Sequence, residues 1–383
     1  MGYHPPKNIV LLGLTSFFND VSSEMIQAVL PAFFVSVLRT GASSLGLVEG
    51  LADGASNLIK LYSGRFSDKL QTRKPFVIFG YSLSVITRPV YLLVSNVAGV
   101  AGLLVVDRIG KGFRDSPRDA LISLSTRKEE MGRAFGFHRA FDTLGAVTGP
   151  LIAYLILRAY PTGFHIVFIT AFFAGILAVL TVLFVKEIVG EVQKKNISLS
   201  SLAAFSENFK RYLVALLFLS LGSMPVAVLL LKTQSIGLTL ASIPLFYLLY
   251  NLSYAGFSFS AGKMSDKIGS KKVIAAGYLL LILSYVILVV AENTFALIAG
   301  FLVLGLFPAL TDGIQRALAS ELSSEEHRGS AIGYVNAISG IGLLLAGIGG
   351  GYVWQQFGVN YALTIAGGFA LIGVIVLSRI KAQ

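Results

Sequence analysis

The chain has 383 residues, of which 55% are hydrophobic and only 13% charged, against roughly 25% charged in a soluble domain. A net charge of +11 comes with no cysteine, so disulfides, iron–sulfur clusters and thiolate metal sites are excluded. Little chain is left over for a soluble catalytic domain.

Apolar stretches of about 18–25 residues recur about twelve times, each long enough to cross a hydrocarbon core of about 30 Å. They predict spans at 8–37, 44–66, 75–95, 99–122, 132–157 and 164–186, then 208–231, 241–262, 272–291, 295–318, 329–352 and 359–378. The expected fold is an all-α membrane protein of twelve transmembrane helices. The first stretch carries Asp20 and Glu24 and has no small-residue cleavage pattern, so it is not expected to be a cleavable signal. Loops at 67–74, 123–131, 187–207, 263–271 and 319–328 hold most of the loop Lys and Arg, together with the termini, while the alternate loops hold only Arg39, Arg158 and Lys232. By the positive-inside rule both termini are cytoplasmic. The surplus charge then reports topology and not a nucleic-acid partner, and a bacterial inner membrane is the expected location.

Ionisable groups in lipid cost about 2.5–3.5 kcal/mol each on insertion scales, so they are expected to face a cavity or each other. In the first span Asp20, Glu24 and Gln27 share a face, about 18–24 Å along the helix from Asn8 and so near mid-membrane. Two carboxylates one turn apart repel, which suits proton coupling. In the second span Glu49, Asp53, Asn57 and Lys60 form one polar stripe ending at Gly64, with Asp53 a further coupling candidate. Arg88, before Pro89 in the third span, has no obvious partner.

The fourth span contains "DRIGKGFRDSPRDA" at 107–120, with seven charges in fourteen residues. Asp107 with Lys111, and Lys111 with Asp115, stand at i,i+4 spacing and could neutralise each other. Arg108, Lys111 and Arg114 read as cations near mid-membrane that attract substrate. Asp115, Arg118 and Asp119 read as a salt-bridged gate, and Pro117 is expected to bend or interrupt the helix. In the fifth span "FHRAFD" sets His138 and Asp142 at i,i+4 and Arg139 and Asp142 at i,i+3. His138 and Asp142 are expected to join the coupling set, and Arg139 the substrate set. The second half offers neutral and aromatic candidates instead: Tyr247, Tyr250 and Tyr254 at helical spacing, with Asn251, Gln234, Phe307 and Pro308. Of these Tyr250, Asn251 and Phe307 are the substrate candidates.

The chain repeats itself. "GRFSDKLQTRK" at 64–74 matches "GKMSDKIGSKK" at 262–272, an offset of 198, and "GRAFGFHRAFDTLG" at 132–145 matches "GSAIGYVNAISGIG" at 329–342, an offset of 197. Two six-span bundles are expected, at 1–189 and 208–383, joined by a cytoplasmic linker at 190–207. An even span count gives both bundles one orientation, related by an axis along the membrane normal. Across the repeat Asp115 finds Asp312, but Arg108 finds Gly305, His138 finds Val335 and Asp142 finds Ser339. The two halves have diverged in charge, and the first holds most of the ionisable groups within its spans.

These features resemble the major facilitator superfamily over essentially the whole chain. Gly64, Asp68, Arg73 and Lys74 look like its loop motif between helices 2 and 3, and Gly262 and Asp266 belong to a second copy. "RIGKG" resembles its helix 4 motif, with Lys111 where a glutamine is common. "GAVTGP" (Gly145, Gly149, Pro150) resembles the helix 5 motif of antiporters, from which Ala153 departs. The resemblance implies alternating access around a midplane cavity, with the loop motifs and Asp115, Arg118 and Asp312 as gating elements. "GKGF" is not a phosphate loop, because no glycine stands five residues before Gly110 and no Ser or Thr follows Lys111. The function expected is a non-enzymatic, proton-coupled secondary transporter. It exports a small or medium organic molecule with anionic or chelating groups, acts as a monomer and needs no cofactor. Export of lipophilic cations or of transition-metal ions is the alternative, and a uniporter or a non-transporting receptor trails.

Overall fold

A computed structural model describes residues 5–70, 72–127, 130–188, 201–324 and 327–380, with side chains except those of 58 and 60–70. Every regular element among the described residues is helical. Hydrocarbon offers no partner for backbone N–H and C=O groups, so a chain this apolar must satisfy them within helices.

In the first half the helices are α1 (Lys7–Ser36), α2 (Ala42–Leu70), α3 (Lys74–Val90), α4 (Val97–Leu124), α5 (Met131–Ala159) and α6 (Phe164–Leu183). In the second they are α7 (Glu207–Leu221), α8 (Val226–Leu230), α9 (Ile243–Ile268), α10 (Ser270–Val290), α11 (Thr294–Thr311), α12 (Ile314–Glu321), α13 (Arg328–Phe357) and α14 (Val359–Ser378). The seventh span is α7 and α8 together with a 3-10 turn at Leu231–Ile236, and the tenth is α11 with α12. Ten segments among the described residues are long and apolar enough to cross a membrane. The remaining two helices, α2 and α4, have 29 and 28 residues, long enough to span, and carry the charged stripes.

The breaks do not fall where proline alone suggested. α4 runs unbroken through Pro117, whose side chain is buried. The interruption comes instead in the seventh span at Gly222–Pro225, where Tyr285 repairs the exposed backbone. Its hydroxyl donates to Gly222 O at 2.9 Å and accepts from Met224 N at 3.1 Å. The tenth span breaks after Thr311, one residue short of Gly313.

The sequence repeat reappears as repeated packing. α1 packs on α5 and α6, and α3 on α4 and α6; in the same pattern α7 packs on α13 and α14, and α10 on α11 and α14. Asn96 and Asn293, at equivalent positions, cap α4 and α11 by accepting from Gly99 N (2.8 Å) and Ala296 N (2.9 Å). The lysines of the loop motif do the same work twice. Lys74 Nζ donates to Leu183 O at 2.7 Å and Lys271 Nζ to Ile380 O at 2.7 Å, each closing the C-terminal carbonyls of α6 or α14. Glu187 completes the first clamp, accepting from Arg73 N (3.0 Å) and Lys74 N (2.7 Å) at the N-terminus of α3.

Two compact units divide the chain. The first holds Met1–Arg39, Ala55–Lys194 and Leu240–Leu248; the second holds Thr40–Gly54, Lys195–Thr239 and Leu249–Gln383. They follow the two sequence halves except for 40–54, the start of α2, and 240–248, the start of α9. The first unit has an apolar core at its basic-loop end, where Ile9, Leu12, Val77, Tyr81, Leu121 and Val182 are buried together.

Candidate functional site

In the first unit the site is built at the crossing of α1 and α5. A Cβ on Gly145 would lie 2.7 Å from Phe17 O and 2.8 Å from Asp20 Cβ, and one on Gly149 would lie 2.8 Å from Val21 O and 3.0 Å from Glu24 Cβ. Only glycine lets the backbones approach this closely. The two glycines of "GAVTGP" therefore seat the acidic face of α1 directly on α5.

Asp20, Glu24, His138 and Asp142 stand there with their polar partners. Asp142, one turn before Gly145, accepts a hydrogen bond from the Ser16 hydroxyl. It lies 3.6 Å from His138 Nδ1 and 3.9 Å from Arg139 NH1. Asp20 accepts from Asn19 Nδ2 at 3.0 Å and stands in the field of Asp142, Glu24 and Lys111. Glu24 accepts from the Tyr247 hydroxyl at 2.7 Å, within the same unit. His138 is buried, and its Nε2 has no hydrogen-bond partner among the described residues. Arg139, by contrast, is exposed over 54% of its side chain. The cluster brings together four of the five expected coupling residues. The fifth, Asp53, lies in the second unit.

The charged run of α4 resolves into two stripes one residue apart. Asp107, Gly110, Arg114 and Pro117 are all buried; Arg108, Lys111, Asp115 and Arg118 are all half-buried. The buried stripe packs on α3, where Gly80 and Gly110 meet so closely that a Cβ on either would lie 2.6 Å from the other's carbonyl oxygen. Across that contact Asp107 pairs with Arg88 at 2.9 Å instead of with Lys111 on its own helix. Arg88 Nε also donates to Ser22 at 3.2 Å, and Arg114 donates to Ser84 at 2.7 Å while lying 4.6 Å from the Tyr81 ring centroid. Arg114 is thus held inside the α3–α4 contact. In the other stripe Arg118 bonds Asp119 at 2.9 Å and approaches Asp115 at 3.8 Å. Of that stripe's cations, Lys111 stands in the field of Asp20 and Arg118 in that of Asp142.

In the second unit Gly305 lets α11 approach α9, its Cβ position 2.2 Å from Tyr250 O. Asn251 is buried, Tyr250 and Phe307 are half-buried, and Phe307 packs edge-on to Tyr278 at 4.8 Å. Asp312 accepts from the Tyr254 hydroxyl at 2.9 Å. Of the second loop motif, Gly262 and Asp266 are exposed; the bond across that turn belongs to Ser265, which meets Ser270 at 3.0 Å. Gly64 and Asp68 of the first copy, Lys60 and linker residues 190–200 lie outside the described side chains. No group of three or more His, Asp or Glu suited to a metal ion occurs among the described residues.

The second unit also contains the same crossing without the acids. A Cβ on Gly342 would lie 2.4 Å from Ser220 Cβ and 3.4 Å from Leu217 O, just as Gly145 meets Asp20 and Phe17. Ser220 therefore stands where the first half has Asp20, and Val335 and Ser339 where it has His138 and Asp142. The helix crossing needs the glycine; it does not need the charges. Arg88 and Tyr285 are likewise equivalent, each tying polar groups inside its own bundle.

Sequence reading did not anticipate the Arg88–Asp107 pair, the Ser16–Asp142 bond or the Tyr247–Glu24 bond. The first had a trace in the repeat, because Gly80 and Gly277 stand at equivalent positions on α3 and α10.

Comparison with known proteins agrees with this architecture over its whole length. The family model of the Major Facilitator Superfamily matches residues 12–231 and 212–382. An MFS-type transporter of Methanocaldococcus jannaschii is 34% identical over 355 residues, covering 91% of this chain and 89% of that protein. The multi-drug resistance efflux pump PmrA of Streptococcus pneumoniae is 26% identical over 388 residues, covering 95% and 94%. Among solved structures, a mutant of the nucleoside transporter NupG superposes with a TM-score of 0.82 at 16% identity, covering 97% of this chain and 99% of that one. At that identity the likeness speaks for the fold alone. Tandem six-span halves, a duplicated loop motif and a family match to both halves lead to one conclusion: the chain belongs to the major facilitator superfamily.

Proposed function

We propose that this transporter is proton-coupled and works by alternating access, the two sequence halves rocking about a central cavity. Asp20, Glu24, His138 and Asp142 carry the proton. The observation that carries the reading is the repeat: the same helix crossing is built in the second half from Ser220, Val335 and Ser339, so packing does not explain Asp20, His138 and Asp142. Buried charge that the fold does not require is a functional feature in a membrane. Asp53, whose repeat equivalent is Asn251, is a fifth member of the coupling set.

The cargo is a small or medium organic molecule with anionic or chelating groups, drawn by Arg108 and Lys111, with Arg139 at the exposed edge. Tyr250, Asn251 and Phe307 supply shape and stacking. Arg114, engaged with Ser84 and Tyr81, acts by fixing α4 against α3. Asp115, Arg118 and Asp312 belong to the gate, with the loop motif at Gly64, Asp68, Arg73, Gly262 and Asp266. Transport runs outward across a prokaryotic cytoplasmic membrane with both termini inside, which the charge of the loops supports. Efflux also accords with the pump similarity. That similarity, together with the acids, favours lipophilic cations as the second reading.

The test uses the purified chain in liposomes with a pH-sensitive dye inside. An imposed proton gradient is challenged with carboxyfluorescein, norfloxacin and tetraphenylphosphonium. Substrate-dependent proton flux with either of the first two, and none after Asp20→Asn, is expected. Flux with tetraphenylphosphonium alone would replace the anion by a cation. Flux with none of the three would overturn proton coupling.

A further inference from the structure

Residues 240–248 open α9, yet they belong to the first unit, while α9 continues in the second. Their turn at Leu240–Ser242 packs on α5, and Tyr247, buried and 6% exposed, donates to Glu24 at 2.7 Å. The reciprocal segment, 40–54 of α2, belongs to the second unit and is held quite differently. There Gly46 and Gly347 approach until a Cβ on either would lie within 2.4 Å of the other's carbonyl oxygen, and Gly351 does the same to Ala42 O at 2.5 Å. That seam is mostly backbone against backbone, with Ser43 N donating to Gln355 Oε1 at 3.1 Å. The seam at 240–248 ends instead on a carboxylate.

We propose that Tyr247 is a positioning residue through which the ionisation of Glu24 holds residues 240–248 on the first unit. The proposal rests on the proton-coupled reading above and adds the group that reads the proton's arrival. A phenol donating to a carboxylate makes a charge-assisted hydrogen bond, roughly twice as strong as a neutral one. When Glu24 takes up a proton, that assistance is lost and the segment is released. The other charged or titratable groups on the elements around Glu24 are Lys7 and Asp20 on α1, and Arg133, His138, Arg139, Asp142, Tyr154 and Arg158 on α5; α4 adds Asp107, Arg108, Lys111, Arg114, Asp115, Arg118 and Asp119. α6 contributes only His165, exposed near its start, and segment 240–248 contributes only Tyr247. Asp20 sits one turn from Glu24 and in its field. Charge on either carboxylate therefore bears on the other, which links the latch to the coupling site.

The chain has no cysteine, so a single spin label reports without interference. Ala241→Cys carries the label, and its mobility is followed by electron paramagnetic resonance in detergent from pH 8 to pH 5, with no substrate and no gradient. The parent chain is expected to hold the label immobile at pH 8 and to free it on acidification. Tyr247→Phe keeps the ring and loses the hydroxyl. It should raise the mobile-to-immobile ratio at pH 8 about tenfold and flatten the pH profile, the shift that loss of a charge-assisted hydrogen bond gives. Glu24→Gln should give the same flat profile with Tyr247 in place, and it decides the matter if Tyr247→Phe does not fold. A parent profile that does not move with pH, or one that persists in Tyr247→Phe, would overturn the proposal. A normal profile in protein that moves no protons in liposomes would overturn the transport reading alone.

Discussion

Asp107 and Arg114 look alike in sequence to Arg108 and Lys111, since all four fall in one charged run. One step around the helix separates them. The first pair faces α3 and is consumed there by Arg88, Ser84 and Tyr81. Removing one member of a buried ion pair leaves the other charge uncompensated, at a cost of about 3–5 kcal/mol. Arg88→Leu should therefore destabilise the protein by that amount, and adding Asp107→Leu should recover most of it, as read from thermal unfolding in detergent. A double variant no more stable than Arg88→Leu would mean that the pair is not what holds α3 to α4. Arg108→Ala should instead leave unfolding within about 0.5 kcal/mol of the parent and weaken binding of the anionic probe.

At the scale of elements the decisive contacts are made by glycine. Gly145 on α5 and Gly342 on α13 each accept the backbone of a neighbouring helix, and a methyl group at either position meets atoms closer than 3 Å. Overpacking of this kind costs about 1–3 kcal/mol. Gly145→Ala and Gly342→Ala should each lower stability by that much. Only Gly145→Ala displaces Asp20, so only that variant should lower proton flux per substrate moved, measured in the same liposomes. Equal loss of coupling in both would show that the crossing and not its acids carries the function. The span count, the repeat and the divergence in charge between the halves were legible in the sequence, because apolar length and self-similarity are one-dimensional properties. Helix rotation was not. Spacing alone put Lys111 beside Asp107, whereas close packing on Gly80 and Gly110 turns Asp107 to another helix. Pro117 does not interrupt α4: a proline removes one donor, but the surrounding packing decides whether the helix stops, and here the break falls at Gly222–Pro225.

For the whole molecule, the second half serves as an internal control for the first. Both halves stack their helices in one pattern, clamp α3 and α10 each with a lysine of the loop motif, and cap α4 and α11 with equivalent asparagines. They differ in what fills the crossing. Replacing His138 by valine and Asp142 by serine copies the second half into the first. This double variant should unfold within about 4 °C of the parent, roughly 1 kcal/mol for a chain of this size or smaller, and should lose proton-driven transport. Collapse of the fold would show instead that the ionisable groups are structural.

The most direct test of proton coupling at the α1–α5 crossing compares two fluxes in Asp20→Asn, using the panel compound that moves protons in the parent. One is accumulation driven by a proton gradient; the other is exchange of labelled for unlabelled compound with no gradient. Accumulation should fall to background while exchange continues near the parent rate. Gradient-driven accumulation that survives in Asp20→Asn, and again when Glu24→Gln is added, would contradict the assignment of coupling to α1.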